Sequence, residues 1–328
     1  MKAFVYEYGK LKLKEMSTPV AKVDEVVVKL KVSGLNRRDL YIPNRLGPDK
    51  EALILGSDGA GVIEHVGAEV KDINVGDEVI INPALRWEKN SDAPPAGFDI
   101  LGMPDHGTFA ERIVLAANQV EKKPAHLTWE QSGVLGLAAL TAYRATFTKG
   151  QLQKGQTLFV PGVGSGVATF IVCYAKHIGA RVIVTSRSEE KREHALKVLG
   201  VDKAIDTNGD WQEELKGETI DLVIDSVGEA TFNRSLEVLK QGGKIVVFGA
   251  TTDDTVQLNL REFFYGQYQL IGSTMGSREE FKAMLEFIAT HGIYPEIAKS
   301  FPLEQAEAAF QMLDKSEQFG KIALLIEK

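Results

Sequence analysis

At 328 residues the chain is longer than one hydrophobic core comfortably organises, and two domains are expected. Its 44% hydrophobic and 25% charged residues are ordinary for a globular protein, while a net charge of −7 without a long Lys or Arg run argues against a nucleic-acid surface. The single cysteine, Cys173, excludes an internal disulfide and any multi-cysteine zinc site.

The opening Met1-Lys2-Ala3-Phe4-Val5-Tyr6 reads as a strand with no charged leader ahead of an apolar segment, and no apolar stretch is long enough to cross a bilayer. A cytoplasmic protein acting on a small molecule, with neither nucleic acid nor membrane as partner, is the expectation. The first third of the chain looks β-rich, with strands expected at 25–32, 61–67 and 77–81. Residues 82–107 hold Pro83, Pro94, Pro95, Gly97, Gly102 and Pro104 and read as an irregular excursion. Beyond Pro124, apolar strands at 157–160, 181–185, 220–225, 244–249 and 268–272 alternate with helical stretches, among them 167–178 and 189–199; a last strand is expected at 321–326. That alternation is the pattern of parallel βαβ units, inserted between two parts of a β-rich domain.

The strongest local motif is Pro161-Gly162-Val163-Gly164-Ser165-Gly166-Val167-Ala168, between a strand and a helix. Glycines let the backbone approach a pyrophosphate, and the helix start offers N–H groups and partial positive charge. Gly164, Ser165, Gly166 and Val167 are therefore candidate cofactor residues. The ribose-reading position follows at the end of the next strand, Val184-Thr185-Ser186-Arg187-Ser188. An NAD site places Asp or Glu there. Here Ser186 and Arg187, with Lys191 one turn on, suit a 2′-phosphate, and NADP(H) is the expected cofactor.

Taken in order, Gly34-Leu35-Asn36-Arg37-Arg38-Asp39-Leu40-Tyr41, Leu55-Gly56-Ser57-Asp58-Gly59-Ala60-Gly61, Val75-Gly76-Asp77-Glu78-Val79, Gly107-Thr108-Phe109-Ala110-Glu111 and Leu140-Thr141-Ala142-Tyr143-Arg144 resemble segments of the medium-chain dehydrogenase/reductase superfamily. The resemblance covers essentially the whole chain. It implies an α/β protein: a GroES-like β-rich catalytic domain plus a Rossmann doubly wound parallel sheet, with the active site between them. The corresponding division is 1–122 for the first part of the catalytic domain, 123–266 for the NADP-binding domain, and 267–328 for a sheet-extending strand and the return to the catalytic domain.

Zinc-dependent relatives carry a Cys where this chain has Asn36, and a His-Glu pair where it has Ser57 and Asp58. Their four-cysteine lobe corresponds to residues 82–107, which hold no cysteine. A catalytic zinc needs about three N, S or O ligands. Of the possible substitutes Asp58, His65, Asp105 and His106, His65 reads as a strand packing residue and His106 as a loop residue, so no metal is expected. The superfamily's zinc-independent quinone oxidoreductases share an Asn-x-x-Asp-x-Tyr pattern, matched by Asn36, Asp39 and Tyr41. The resemblance makes Tyr41 a donor or proton source, Asn36 an orienting residue for substrate or nicotinamide, and Asp39 a loop anchor. A capped helix start, with Asn36 and Asp39 satisfying free N–H groups, is the competing reading. Arg38 is another possible donor.

The nicotinamide side is expected to involve Thr141, Val227 after Asp225-Ser226, Gly249-Ala250-Thr251, Thr274-Met275, and Lys321 of Phe319-Gly320-Lys321-Ile322. Loops near Tyr41, from Trp87 to Phe98 and from Phe263 to Tyr265 are expected to line the pocket. A homodimer joined at Gln269-Leu270-Ile271-Gly272-Ser273 is also implied. Hydride transfer to a quinone or enone, which spreads charge to a distal oxygen, needs only hydrogen-bond donors where alcohol chemistry needs a strong electrophile. An alcohol or carbonyl dehydrogenase and a non-catalytic NADPH-binding protein are the alternatives.

Overall fold

The computed structural model describes residues 1–327. They form two compact units, Met1–Leu140 with Gly276–Lys328, and Thr141–Met275. Among the described residues no helix is long and apolar enough to cross a membrane.

The first unit is built on a seven-stranded sheet. Its order is Val120–Lys122, Glu78–Ile81, Asp58–Val66, Glu25–Gly34, Lys321–Leu325, Ile297–Pro302, with Arg112–Ala116 also pairing Glu25–Gly34. Val26, Val28 and Leu30 alternate along the central strand and pack with Ile63, Val79, Ile81, Ile113 and Leu115 in one core. The register slips between Leu30 and Val32, the mark of a bulge. Val32 then packs with Val134 and Ala323 in a separate cluster. A second core gathers Phe4, Phe109 and Phe310, with Phe310 at 5.5 Å from Phe4 and 6.0 Å from Phe109 between ring centres.

Two registers position the candidate site. Asp58 pairs with Gly34 on one side of the central strand, and Ala323 pairs with Gly34 on the other. Both pairings are antiparallel, so the residues just beyond Gly34 meet those just before Ala323. Asn36, Asp58 and Lys321, remote in sequence, converge by this register alone.

Residues 82–107 contain a two-strand pairing of Ala84–Leu85 with Asp99–Ile100, and the Met103–Pro104 peptide is cis. Trp87, expected to line a pocket, is instead 1% exposed, edge-on to Phe98, with Nε1 donating to Ser91 Oγ at 2.9 Å. A flat apolar ring in this excursion serves as its local core.

The second unit is a six-stranded sheet in the order Lys203–Asp206, Arg181–Ser186, Thr157–Val160, Ile220–Asp225, Leu239–Val247, Gln269–Gly272, every neighbouring pair parallel. Numbered from its first strand this is the 3-2-1-4-5-6 order of the Rossmann fold. The first strand is buried throughout, as a strand covered on both faces must be. The expected helices at 167–178 and 189–199 are Gly166–His177 and Glu189–Lys197.

The division of the chain differs from one drawn at 122 and 266. Residues up to Leu140 belong to the first unit because Gly133 and Val134 press on Val32 and Gly34, and Leu137 N–H is bound to Asp58. Residues 267–275 belong to the second because Gln269–Gly272 extends its sheet.

Candidate functional site

In the second unit the glycine turn is held by its neighbouring strand. Gly162 N–H donates to Thr185 Oγ1 at 3.0 Å and Val163 N–H to Thr185 O at 2.8 Å. Gly162 and Gly164 have φ of 77° and 117°, where a side chain is strained, and a Cβ on Gly162 would stand 3.0 Å from Val227. Ser165 caps the following helix, its Oγ accepting Ala168 N–H at 3.2 Å. Gly166 and Val167 therefore open a 12-residue helix whose N-terminus carries partial positive charge.

Ser186 and Arg187 follow at the end of the neighbouring strand. Ser186 is buried and its Oγ accepts Ser188 N–H at 3.2 Å; Arg187 is exposed and forms no ion pair among the described residues. Burial and then the charge of Arg187 hold the Lys191 ammonium below its usual pKa. Glu190 acts on it in the opposite direction. The nearby carboxylate, Asp206, lies 3.6 Å from Arg192, so its charge is compensated.

At the end of the fourth strand, Asp225 Oδ1 accepts the N–H groups of Val227 at 2.6 Å and Gly228 at 3.2 Å, while Oδ2 accepts Thr231 Oγ1–H at 2.7 Å. Burial pushes this carboxyl upward. Thr251 N–H reaches Ser226 O at 3.2 Å, tying Gly249-Ala250-Thr251 to the same loop. Thr141 Oγ1 meets Met275 Sδ at 3.8 Å, beside exposed Thr274. Except for Lys321, the candidate cofactor residues thus lie in this unit, most of them just beyond the carboxyl ends of its strands, where such sheets bind ligands.

Lys321 is in the first unit, 3% exposed. Its Nζ donates to Leu35 O at 2.7 Å, Asn36 Oδ1 at 2.6 Å and Asp58 Oδ2 at 2.9 Å, which engages all three ammonium protons. None remains for the nicotinamide side of a cofactor, where the sequence places Lys321. Asn36 Nδ2 donates to Asp58 Oδ2 at 2.9 Å, and Asp58 Oδ1 accepts Leu137 N–H at 2.6 Å. Gly136 is required alongside, since a Cβ there would fall 2.8 Å from Asp58 Oδ1. The second Nδ2 proton of Asn36 has no partner among the described residues.

Asn36 is followed by the 3-10 turn Arg37–Leu40, and Asp39 Oδ2 accepts Asn36 N–H at 2.8 Å. Asp39 therefore anchors the turn, in a capping box with Asn36. Burial pushes the Asp39 carboxyl up to about 6, against the pull of Arg38 and of Asn36 N–H. Its Oδ1 is buried without a partner. Arg38 Nη1 donates to Ser57 Oγ at 2.7 Å and Leu101 O at 2.9 Å, and Tyr41 is 41% exposed.

Comparison with known proteins agrees with this architecture. Residues 22–125 match the alcohol dehydrogenase GroES-like domain and residues 166–290 match the zinc-binding dehydrogenase domain. A zinc-type alcohol dehydrogenase-like protein of Schizosaccharomyces pombe is 33% identical over 92% of this chain and 91% of its own. The chain belongs to the medium-chain dehydrogenase/reductase superfamily. It is an oxidoreductase of that superfamily. A quinone oxidoreductase of Homo sapiens is 27% identical over 98% of this chain and 96% of its own. A crystal structure of an NAD-dependent alcohol dehydrogenase superposes with a TM-score of 0.92 at 32% identity, covering both chains completely.

The superfamily's zinc-binding members raise the question of a metal here, and the side chains do not fit one. Asn36 Oδ1 and Asp58 Oδ2 already hold an ammonium, and Asp58 Oδ1 holds a backbone N–H. Ser57 Oγ donates to Leu101 O at 2.7 Å and accepts from Arg38, a second cation. His106 Nδ1 accepts Ile54 N–H at 3.1 Å, and burial lowers its pKa; His65 is exposed on a strand. Among the described residues no three His, Cys, Asp or Glu side chains gather closely enough to hold a metal ion.

Asn36, Asp39 and Tyr41 stand out in the sequence, whereas Asp58 is visible there only as a possible metal ligand and Lys321 only as a cofactor residue. The pairing of Asp58 with Lys321 was discoverable only from complementary charge beside two glycine-bounded strands, a signal that occurs throughout the chain.

Proposed function

We propose that this oxidoreductase uses NADPH to reduce a quinone or a carbonyl-conjugated double bond, without a metal. The observation that carries this reading is the buried Asn36–Asp58–Lys321 network, which takes up donors a catalytic metal would need. Exposed Arg187 at the strand end, where an NAD site places a carboxylate, supports NADPH as the hydride donor, because a guanidinium can bind a 2′-phosphate that an acid would repel. Gly164, Ser165, Gly166 and Val167 would hold the pyrophosphate, and Thr141, Val227, Gly249, Ala250, Thr251, Thr274 and Met275 the nicotinamide end.

Bound NADPH supplies a hydride. The residues of the chain have to stabilise the negative charge that develops on the substrate oxygen and return a proton to it. The exposed Tyr41 hydroxyl and the remaining Asn36 N–H are suitable donors, since a conjugated system delocalises its charge and needs no Lewis acid. Small-molecule binding and a homodimer joined along Gln269–Gly272 complete the reading; Leu270 on that outer strand is 47% exposed.

The test is oxidation of NADPH and NADH against quinones, enones and aldehydes, with metal content measured on the same preparation. Turnover of a quinone or enone, faster with NADPH and unchanged by chelator, is expected. Zinc-dependent alcohol oxidation with NAD at higher efficiency would overturn it. Light scattering with twice the chain mass supports the dimer, and a monomer rejects it.

A further inference from the structure

Asn36 carries an amide whose two ends are chemically opposite, and its surroundings permit only one orientation. An ammonium only donates, so Lys321 must face Oδ1; an ionised carboxylate only accepts, so Asp58 must face Nδ2. Flipping the amide would set donor against donor and acceptor against acceptor, with all three residues at most 6% exposed. Asn36 is therefore oriented by a buried ion pair. The ammonium on Oδ1 also draws electron density from the amide and makes its N–H protons better donors, as hydrogen bonds in a chain polarise one another. One of those protons is used by Asp58. The other has no partner among the described residues.

We propose that Lys321 is a positioning residue, whose ammonium locks and polarises the Asn36 amide so that its remaining N–H is presented to the substrate oxygen. The inference rests on the reduction of a quinone or enone proposed above. Asn36 is then the catalytic residue, and Lys321 acts through it. Asp58 completes the lock by holding the other N–H and neutralising the ammonium. Charge accumulates on the substrate oxygen during hydride transfer, so the effect belongs to kcat more than to KM.

The experiment compares wild type, Asn36→Ala, Lys321→Met, Lys321→Arg and the charge-neutral double variant Asp58→Asn/Lys321→Met. Steady-state kinetics with a quinone and NADPH are combined with nuclear magnetic resonance of asparagine side-chain amides in selectively labelled protein. The Asn36 signal, identified by its loss in Asn36→Ala, should be a resolved, slowly exchanging pair in wild type that moves toward the free-amide position in Lys321→Met. Removal of one such donor lowers kcat on the order of a hundredfold. Lys321→Met should match Asn36→Ala in that loss with KM within about threefold of wild type, and Lys321→Arg should recover part of both kcat and signal.

Wild-type kcat in Lys321→Met, or an Asn36 signal unmoved by it, overturns the proposal. If Lys321→Met does not fold, the double variant decides, because it leaves no lone buried charge: lost kcat with KM kept supports the proposal, and wild-type kcat rejects it. If wild type reduces neither quinones nor enones, the functional reading fails. The amide spectra then still decide whether Lys321 holds Asn36.

Discussion

The glycine turn of the second unit and the buried network of the first are built in opposite ways. The turn runs from Gly162 to Val167, and backbone conformation supplies its chemistry: two positive φ angles, a serine cap and a helix start. The network joins Asn36, Asp58 and Lys321 through side chains brought together by strand register. A turn made by the backbone depends on local sequence and tolerates change in surrounding side chains. A side-chain-made buried charge pair is intolerant, because each partner left alone is an uncompensated charge in a poor solvent. Changes near the turn should therefore alter affinity, and changes in the network should alter stability.

The largest expected effect is Asp58→Asn, which preserves shape but strands the Lys321 ammonium. It should destabilise the first unit by about 3–5 kcal/mol in denaturant unfolding, and adding Lys321→Met should restore at least half of that. A single variant within about 0.5 kcal/mol of wild type would place the pair in an effectively wetter environment and break the contrast.

Next is Asp39. Its carboxyl stands at about 6 in the folded chain against an ordinary value of 3.8, so the folded state binds the proton more tightly. The stability this contributes is fully present below about pH 4 and is lost as pH rises through about 6. Asp39→Asn has no such loss, so it should gain on wild type between pH 4 and 7 by up to about 3 kcal/mol. Thermal unfolding across that range checks it, and a constant difference would show that Asp39 is not the titrating group.

Arg187→Ala tests the other region. Loss of a charge-assisted contact of about 1.5–3 kcal/mol should weaken NADPH binding tenfold or more, with NADH binding unchanged and stability within about 0.5 kcal/mol. Equal loss for both dinucleotides would remove Arg187 from the 2′-phosphate site.

The smallest effect is expected at Glu327, which pairs with Lys29 and Lys31 and whose carboxyl is held well below its usual range, first by hydrogen bonds from both lysines. The pair is solvent-accessible and screened. Glu327→Gln should shift unfolding by less than about 1 kcal/mol, and less still in high salt. A larger loss would mean that buried and exposed ion pairs on this sheet do not differ in strength.

Much of the molecule was legible in order along the chain. Period-two strands, the change to βαβ alternation and the Gly162–Val167 turn each express their physics within a few residues, so helix and strand positions differ from expectation by little. Asn36 and Asp39 are visible as a pattern, yet the further partners of Asn36 are not: its side chain also meets the buried ion pair of Asp58 and Lys321. The Phe-Gly-Lys context of Lys321 points to the cofactor, because a lysine's charge is visible in sequence and its partner is not. Trp87 was expected at a pocket and is core, since burial is a property of what packs around a ring.

The sequence by itself determined the two architectures, the glycine turn, the absence of a carboxylate at Arg187 and the lack of cysteine and histidine where zinc relatives carry their ligands. Those are statements about residue type and local spacing, and residue type is what a sequence contains. Only the tertiary structure decided that Asp58, Asn36 and Lys321 form one buried network. Their meeting depends on two antiparallel registers at Gly34, and a register is set by the packing of whole strands, not by the residues that it brings together.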